Sequence, residues 1–354
     1  MRIISIDSVQ GHERLAKDVL NSSGTVLMPA GTVMKKEYAK KLMDLDVEFI
    51  YIEDDIAQGV NLSESLEIQI KEECLESVRD IFLKYTYTDN VQKNDIQKVA
   101  ENIIEEVMEQ SEVIYSLSSI RNKSEVTYSH SINVCALSVI IAIKLKLSRK
   151  KIKDIAIGSL LHDIGFAYIS MDYHKLKEET CSQKELKEIK KHVIYGYSAI
   201  ENVEWLSATS KDIILKHHER IDGSGYPFRL RGEKIDIGTR IVSICDRFDS
   251  MAYGNLTKKV KVYEAIDYVV SHAGSKFDFE IVNIFMESVA AYPIGELVIT
   301  NKGETGIVLR QNSKCPTRPV IRIIKDRNGK KLIKWVEKDL TKHLTLFIED
   351  TIIT

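Results

Sequence analysis

Hydrophobic residues recur at helical spacing through the middle of the chain and alternate in short runs near both ends. At 1–57, short apolar runs and Gly turns surround one helix-like segment, which predicts a small α/β domain. The pattern at 58–95 predicts a helical linker, and the pattern at 96–292 predicts successive helices. Short β-type runs fill 293–354. The pattern predicts a mainly α protein with a small α/β N-terminal domain and a small β-barrel-like C-terminal domain.

The N-terminal segment contains an apolar run with a Pro-Ala-Gly turn at 26–33, a helix pattern from Lys35 to Leu45 and a strand pattern at 49–52. It contains no recognisable catalytic constellation. Its histidine, His12, is isolated, and a lone histidine is more often a surface or packing residue than a ligand.

The segment 62–117 is charged, has helical periodicity and lacks Gly and Pro. It predicts a pair of helices joined near 86–94. Two interpretations remain open. The helices either link the first domain to the central region and offer a face for a homodimer, or they pack on their own domain.

The β-type runs near the C-terminus are separated by turn signals such as Asn-Lys-Gly and Asp-Arg-Asn-Gly. The runs are 296–300, 306–309, 320–324, 332–336 and 344–348. Five such runs within about 60 residues predict a small barrel. Its expected role is interaction or stabilisation of the central region.

Composition is that of an ordinary soluble globular protein. Of 354 residues, 44% are hydrophobic and 29% charged, and the formal net charge is −2. This balance gives no general attraction to a nucleic acid polymer or an anionic membrane. The first residues lack a signal-peptide pattern, and the longest apolar tract, 134–143, is shorter than the roughly 20 residues of a membrane span. The five scattered cysteines suit a reducing compartment, so we expect a cytoplasmic protein.

One polar stretch does not fit a packed core. Residues 217–227 read His-His-Glu-Arg-Ile-Asp-Gly-Ser-Gly-Tyr-Pro, with two adjacent imidazoles before a glycine-rich turn. More imidazoles and carboxylates recur within a stretch the size of one domain. They are His130, His162, Asp163, His192 and Asp246. Imidazoles and carboxylates that converge from several helices are typical of a dinuclear metal centre.

These motifs resemble a known family. His-Asp-Ile-Gly at 162–165, followed by His-His-Glu-Arg-x-Asp-Gly-x-Gly-Tyr-Pro, is similar to the HD-GYP branch of the HD phosphohydrolases. The resemblance covers roughly 97–292. It implies an all-helical, metal-dependent phosphodiesterase fold that acts on cyclic di-GMP, a bacterial signalling dinucleotide.

The resemblance also implies how the ligands divide between two divalent ions. The ligands of one ion would be His130, His162, Asp163 and Asp246. The ligands of the other would be Asp163, His192, His217 and His218. Mixed imidazole and carboxylate ligation suits iron, manganese or zinc better than calcium or magnesium, and the resemblance favours iron or manganese. Some family members hold a third ion through a glutamate, but Val126 occupies that position here and Glu125 is one residue off, so we expect two ions.

Roles in catalysis and substrate binding follow from the same resemblance. Asp163 would bridge the ions and, with its neighbour His162, form the catalytic pair, while a metal-bridging hydroxide attacks the phosphodiester in line. The expected substrate-binding residues are Arg220, Gly225, Tyr226, Pro227, Lys258 and Lys259. The Gly-Tyr-Pro loop is also the element expected to contact GGDEF-type or other signalling proteins. As bare sequence it predicts only a turn.

Two departures from the family pattern bear on turnover. Phe166 stands where the family usually has a lysine, and 255–257 replace an Arg-Pro-Tyr-Arg-like run that holds phosphate. Lys258 and Lys259 could substitute only as point charges. We expect a phosphodiesterase that converts cyclic di-GMP to pGpG, GMP or both. The alternatives are a weakened cyclic-dinucleotide receptor or scaffold that retains its metals, and another HD-class nucleotide phosphohydrolase.

A few polar residues fall outside this pattern. Asp249 lies one turn after Asp246 and either orients a ligand or makes a local cap or salt bridge. His174, His272 and His343 match no motif position and are expected to be ordinary core or surface residues.

Overall fold

The protein is represented by a computed structural model. The residues that it describes are 2–20, 26–45, 47, 49–54, 56, 77–80, 93–109, 126–171, 176, 180–312 and 314–352. The chain divides into two compact units, one with the N-terminal and C-terminal β regions and one with the central helices. Most of the expected linker at 58–95 and of the helix pair at 62–117 lies outside the described residues.

The N-terminal region is a small α/β structure. Its elements are β1 (Arg2–Ser5), β2 (Arg14–Leu15), β3 (Val19–Leu20), β4 (Val26–Met28), α1 (Lys36–Asp44) and β5 (Phe49–Glu53). β5 pairs antiparallel with both β1 and β2, and β3 pairs with β4. Alternation along β5 buries Ile50 and Ile52, which pack with Leu15 and Met34 in one apolar cluster.

The C-terminal region is a five-stranded antiparallel sheet. Its strands are β6 (Leu297–Thr300), β7 (Thr305–Arg310), β8 (Val320–Lys325), β9 (Lys331–Asp339) and β10 (Ile348–Ile352). The order across the sheet is β10-β6-β7-β8-β9. The prediction of a strand at 344–348 is wrong, because this strand begins only at Ile348. The Arg318 guanidinium donates instead to the carbonyls of His343, Leu344 and Leu346, which holds that run as a loop.

Helices build the central unit, which confirms the prediction of a mainly α protein. They are α2 (Lys93–Glu109), α3 (Val126–Lys144), α4 (Arg149–Leu161), α5 (Gln183–Ile189), α6 (His192–Ile200), α7 (Ala208–Lys216), α8 (Ile237–Tyr253), α9 (Val262–Ser271) and α10 (Phe279–Met286). The sequence Ser182-Gln183-Lys184-Glu185 predicts a capping box, and this capping box opens α5. Every residue of α3 from 129 to 142 is buried, so the longest apolar tract of the chain is a central core helix.

The end of α4 differs from its prediction. The pattern at 162–165 predicts a helix that stops at Gly165, but α4 ends at Leu161 and a 3-10 turn follows at Ile164–Tyr168. Gly165 is required for close approach, because a Cβ there would lie 1.9 Å from the carbonyl oxygen of His192 and 2.5 Å from the nitrogen of Gly196. This contact sets the turn directly against α6.

Candidate metal centre

The seven side chains predicted as ligands come together in the helical unit. Their positions are on α3 (His130), directly after α4 (His162 and Asp163), at the start of α6 (His192), directly after α7 (His217 and His218) and on α8 (Asp246). Six of them are buried, and His218 keeps 20% of its side chain exposed. The site therefore lies inside the unit and opens towards solvent at His218.

Backbone carbonyls orient three of the imidazoles. The Nδ1 atoms of His162, His192 and His217 lie 2.7, 2.8 and 3.1 Å from the carbonyl oxygens of Ser159, Ile189 and Ile213, respectively. A carbonyl oxygen only accepts hydrogen bonds, so Nδ1 must carry the proton in each ring. When these rings are neutral, each Nε2 is left with a lone pair that faces the centre.

A carboxylate orients His130. The Nδ1 atom of His130 lies 2.7 Å from Oδ2 of the buried Asp249, and Asn133 Nδ2 donates to Asp249 Oδ1 at 3.0 Å. Of the two roles that the sequence left open for Asp249, this geometry supports orienting a ring of the centre. A carboxylate behind a metal-binding imidazole is a common arrangement in metal sites.

Asp163 stands between two groups of imidazoles. Its Oδ2 lies 3.3 Å from His162 Nε2 and 3.6 Å from His130 Nε2. Its Oδ1 lies 3.6 Å from His192 Nε2 and 3.7 Å from His217 Nε2. Each oxygen of this carboxylate thus faces a different group, which is the geometry that a bridging ligand requires.

Asp246 also reaches both sides of the centre. Its Oδ1 lies 3.2 Å from His130 Nε2, and its Oδ2 lies 3.6 Å from His218 Nδ1. The sequence assigned Asp246 to one ion only. In the structure its second oxygen faces the other group as well.

The protonation states suit metal ligands. Burial would raise the pKa of Asp163, but the imidazoles of His162, His192 and His130 together outweigh this effect and hold the pKa well below its usual range. Burial likewise opposes ionisation of Asp246, whose pKa is lowered by its hydrogen bond to His130. Burial lowers the pKa of His217 to about 3 and that of His218 well below its usual value. The carboxylates are therefore ionised, and these imidazoles are neutral.

His130 behaves differently. Burial alone would lower its pKa, but hydrogen bonds to Asp246 and Asp249 raise the pKa to about 10. Without a bound ion, both nitrogens of this ring therefore carry a proton, and the positive charge of the ring compensates the neighbouring carboxylates. A metal ion would take the place of the proton on Nε2, the nitrogen that faces Asp163 and Asp246.

The contact between His192 and His217 tests whether a cation fits. Burial lowers the pKa of both rings, so both are neutral, and both Nδ1 protons are directed to carbonyls. Their Nε2 lone pairs nevertheless face each other at 3.2 Å. Two buried acceptors at this distance have no proton to share, and a cation between them removes the conflict.

Six of the seven predicted ligands fall into two groups of three, which do not include Asp246. In each group the ligand atoms lie within 4.8 Å of one another, and the groups are His130, His162, Asp163 and His192, His217, His218. Nitrogen and carboxylate oxygen donors in this mixture suit divalent iron, manganese or zinc. The residues present therefore fit the predicted pair of ions. Their individual roles as ligands remain a prediction.

Comparison with known proteins assigns the family. The model of the HD domain matches residues 104–281, and the model of a KOW domain associated with HD domains matches 297–353. The chain belongs to the HD domain family, in its HD-GYP branch. A cyclic di-GMP phosphodiesterase of Pseudomonas aeruginosa is 31% identical over 226 residues, which cover 64% of this chain and 54% of that protein. A cyclic di-GMP phosphodiesterase of Thermotoga maritima is 30% identical over 292 residues, or 80% of this chain and 77% of that protein.

A solved structure shares the fold. An HDG"Y"P protein from Bdellovibrio bacteriovorus superposes with a TM-score of 0.51 at 20% sequence identity, covering 80% of this chain and 97% of that chain. The chain spans about half the length of the Pseudomonas relative, 54% of it. Within the described residues, no helix has the length and apolar character needed to cross a membrane.

The Gly-Tyr-Pro loop lies against His218 of the candidate metal centre. Glu219, 1% exposed, accepts hydrogen bonds from the backbone nitrogens of Phe228 at 2.7 Å and Leu230 at 2.9 Å. A Cβ at Gly225 would lie 2.5 Å from the carbonyl oxygen of His218, so only glycine allows the loop this close. The Tyr226 ring stacks on His218 with 4.7 Å between centroids.

The other predicted substrate-binding residues do not stack on the ligands of the centre as Tyr226 does. Arg220 Nη1 donates to the carbonyls of His217 and Glu219, so this guanidinium holds the backbone around the centre. Pro227 follows Tyr226 in the loop. Lys258 and Lys259 are exposed in the segment after α8, and their contact with substrate remains a prediction.

Phe166 faces away from solvent in the HD domain. Its ring is 4% exposed and stacks on His192 at 4.3 Å between centroids, with 9° between planes. It belongs to an apolar cluster with Ile169 and Ile189, against which Leu256 also packs. The two departures from the family pattern, at 166 and at 255–257, thus contribute to a single apolar cluster.

Three residues of the centre escaped the sequence analysis. Asn133, one turn after His130, supports Asp249, and Glu219 holds the loop. Lys190, two residues before His192, lies over the Tyr226 ring. Of these three, only Asn133 could have been found from the sequence, because its spacing of three residues places it on the same helix face as His130.

Of the remaining histidines, those that the structure describes do not join the centre. His272 packs against Tyr268, and His343 is exposed beside the C-terminal sheet. Val126 opens α3, whereas Glu125 and His174 lie outside the described residues, so the predicted absence of a third ion stays a prediction.

Proposed function

We propose that this chain is a metal-dependent phosphodiesterase that hydrolyses cyclic di-GMP to pGpG, GMP or both. The observation that carries the proposal is the position of Asp163, whose two oxygens face separate groups of buried imidazoles. The substrate is supported by the relatives from Pseudomonas aeruginosa and Thermotoga maritima, which are named cyclic di-GMP phosphodiesterases.

The chain's own residues organise the chemistry. Asp163, His162 and five further ligands would hold two divalent ions, iron or manganese, which lower the pKa of a water and neutralise charge on the phosphoryl oxygens. The carbonyls behind His162, His192 and His217 fix the orientation of these rings before substrate arrives. The side of the centre at His218 and Tyr226 remains open for a phosphodiester.

A second candidate is a cyclic-dinucleotide receptor that retains its metals. Phe166 favours it, because this buried ring places no cation beside His192. Loss of a charged contact to the transition state can lower turnover by about 100-fold or more. Binding without turnover would be the signature of this candidate.

A substrate panel tests the proposal. The chain is purified anaerobically, loaded with Fe(II) or Mn(II) and incubated with cyclic di-GMP, cyclic di-AMP and a guanosine mononucleotide, and products are separated by chromatography. We expect many turnovers on cyclic di-GMP, and a loss of about 100-fold or more in His217→Ala. The exposed His343→Ala serves as the matched control and is expected to keep wild-type turnover.

Other outcomes of the panel contradict the proposal. Tight binding of cyclic di-GMP without product would indicate the receptor. A preference for the mononucleotide would indicate another HD-class nucleotide phosphohydrolase. Equal loss of activity in His217→Ala and His343→Ala would show that the buried centre is not where the chemistry occurs.

We further propose a partner surface and domain limits. Phe228, directly after the loop, is 53% exposed and suits contact with a GGDEF-type or other signalling protein. The proposed domains are 1–57, 58–95, 96–292 and 293–354. We also propose a homodimer that forms through the segment at 62–117. A cytoplasmic location is the last part of the proposal, and it agrees with the four described cysteines, none of which forms a disulfide.

A further inference from the structure

The open side of the centre is formed by two stacked rings. His218 is the most exposed of the seven predicted ligands, and the Tyr226 ring lies on it with 24° between planes. A substrate that approaches the centre from the exposed side of His218 would therefore lie beside the Tyr226 ring. A cation beside this ring would be close to such a substrate.

Lys190 places a cation at this position. Its ammonium lies 5.1 Å from the centroid of Tyr226, on the ring that covers His218. The backbone there is well anchored, because Lys190 ends α5 directly after the buried Ile189, whose carbonyl accepts the proton of His192 Nδ1. The position of the ammonium relative to the centre is thus set by its contact with the Tyr226 ring and by the backbone of Ile189, which holds His192.

The ammonium of Lys190 is available to a ligand. Among the ion pairs formed by the described residues, none involves Lys190. The neighbouring Lys191, by contrast, pairs with Glu188 at 2.6 Å. Arg220, another cation near the loop, already donates to two backbone carbonyls.

We propose that Lys190 is a substrate-binding residue that donates to a phosphate oxygen of the cyclic dinucleotide at the entrance of the centre. The inference rests on the proposed function. A phosphodiester carries a full negative charge, and a half-buried ammonium is screened less by solvent than an exposed one. An ammonium over an aromatic ring keeps donors free on the side away from the ring.

A purely structural role makes different predictions. Lys190 ends α5, so its charge could serve only the helix carbonyls and the Tyr226 ring. In that case its loss would lower stability or metal content and leave phosphate affinity unchanged. Phosphate affinity and its salt dependence therefore separate the two roles.

The experiment compares Lys190→Gln and Lys190→Arg with Lys187→Gln, an exposed lysine of the same helix. Each full-length protein is loaded with Mn(II), and its metal content is measured. Calorimetric titration with inorganic phosphate at two salt concentrations gives the Kd, and steady-state kinetics on cyclic di-GMP give KM and kcat.

With metal content unchanged, Lys190→Gln is expected to weaken phosphate binding and raise KM by about tenfold each, with a smaller salt dependence. Lys190→Arg is expected to stay within about threefold of wild type, because it keeps the charge. Lys187→Gln should match wild type.

Unchanged phosphate affinity in Lys190→Gln, or loss of bound metal in that variant, would overturn the inference. Failure of the proposed function is distinguishable from this result. It would appear as wild-type protein that neither binds nor hydrolyses cyclic di-GMP, while the phosphate titration still reports on Lys190.

Discussion

At the scale of single residues, Phe166 shapes the surroundings of His192. A lysine at this position would place an ammonium among Ile169 and Ile189, where the ring is now 4% exposed and stacked on the imidazole. We predict that Phe166→Lys lowers the free energy of unfolding by about 3 kcal/mol, because a buried charge without a partner is costly. Metal content should also fall, since His192 loses its stacking partner. Urea unfolding and metal analysis measure both effects.

Phe166→Leu is the matched control. It keeps the site apolar and removes only the ring, so the expected loss is about 1 kcal/mol with metal content retained. A Phe166→Lys protein as stable as wild type and more active on cyclic di-GMP would contradict this interpretation. It would show that the apolar cluster accommodates a cation.

At the scale of elements, the turn at Ile164–Tyr168 and helix α6 meet through Gly165. A Cβ at Gly165 would lie 1.9 Å from the carbonyl oxygen of His192, so Gly165→Ala must move the backbone that carries this ligand. We predict a loss of about 2 kcal/mol in stability and a clear fall in metal content. At Gly196 on the opposite side, the nearest atoms to an added Cβ lie 3.2 Å away. Gly196→Ala should therefore be milder, and an equal effect of the two substitutions would refute the argument.

Element types could be predicted from the sequence better than their ends. The capping box at Ser182 follows from local residue chemistry, and the structure contains it. The end of α4 and the start of β10 were misplaced, because each depends on a distant contact. Gly165 meets α6, and Arg318 holds the carbonyls before Ile348, neither of which periodicity reveals.

At the scale of the whole molecule, the side chains of the candidate site lie on helices α3, α6 and α8 of the HD domain and on the residues that directly follow α4 and α7. The resemblance to the HD-GYP motifs predicted all seven side chains as ligands, and the structure brings them together. The sequence could not show that Asp246 reaches both groups, since this depends on packing between helices. The sequence also could not show that Lys190 lies over the Tyr226 ring. A lysine on a charged helix predicts only a solvent-exposed side chain.

Metal stoichiometry measured together with turnover tests the central claim most directly. Metal-free chain is titrated anaerobically with Mn(II), and bound ions and hydrolysis of cyclic di-GMP are measured in the same samples. We predict saturation at two ions per chain, with turnover appearing as the sites fill. Asp163→Asn should lose at least one ion and about 100-fold or more in turnover, because the substitution removes the negative charge and replaces one carboxylate oxygen with an amide NH2 group, which does not bind a cation. Saturation at one ion, or full turnover in metal-free protein or in Asp163→Asn, would contradict a dinuclear centre built around Asp163.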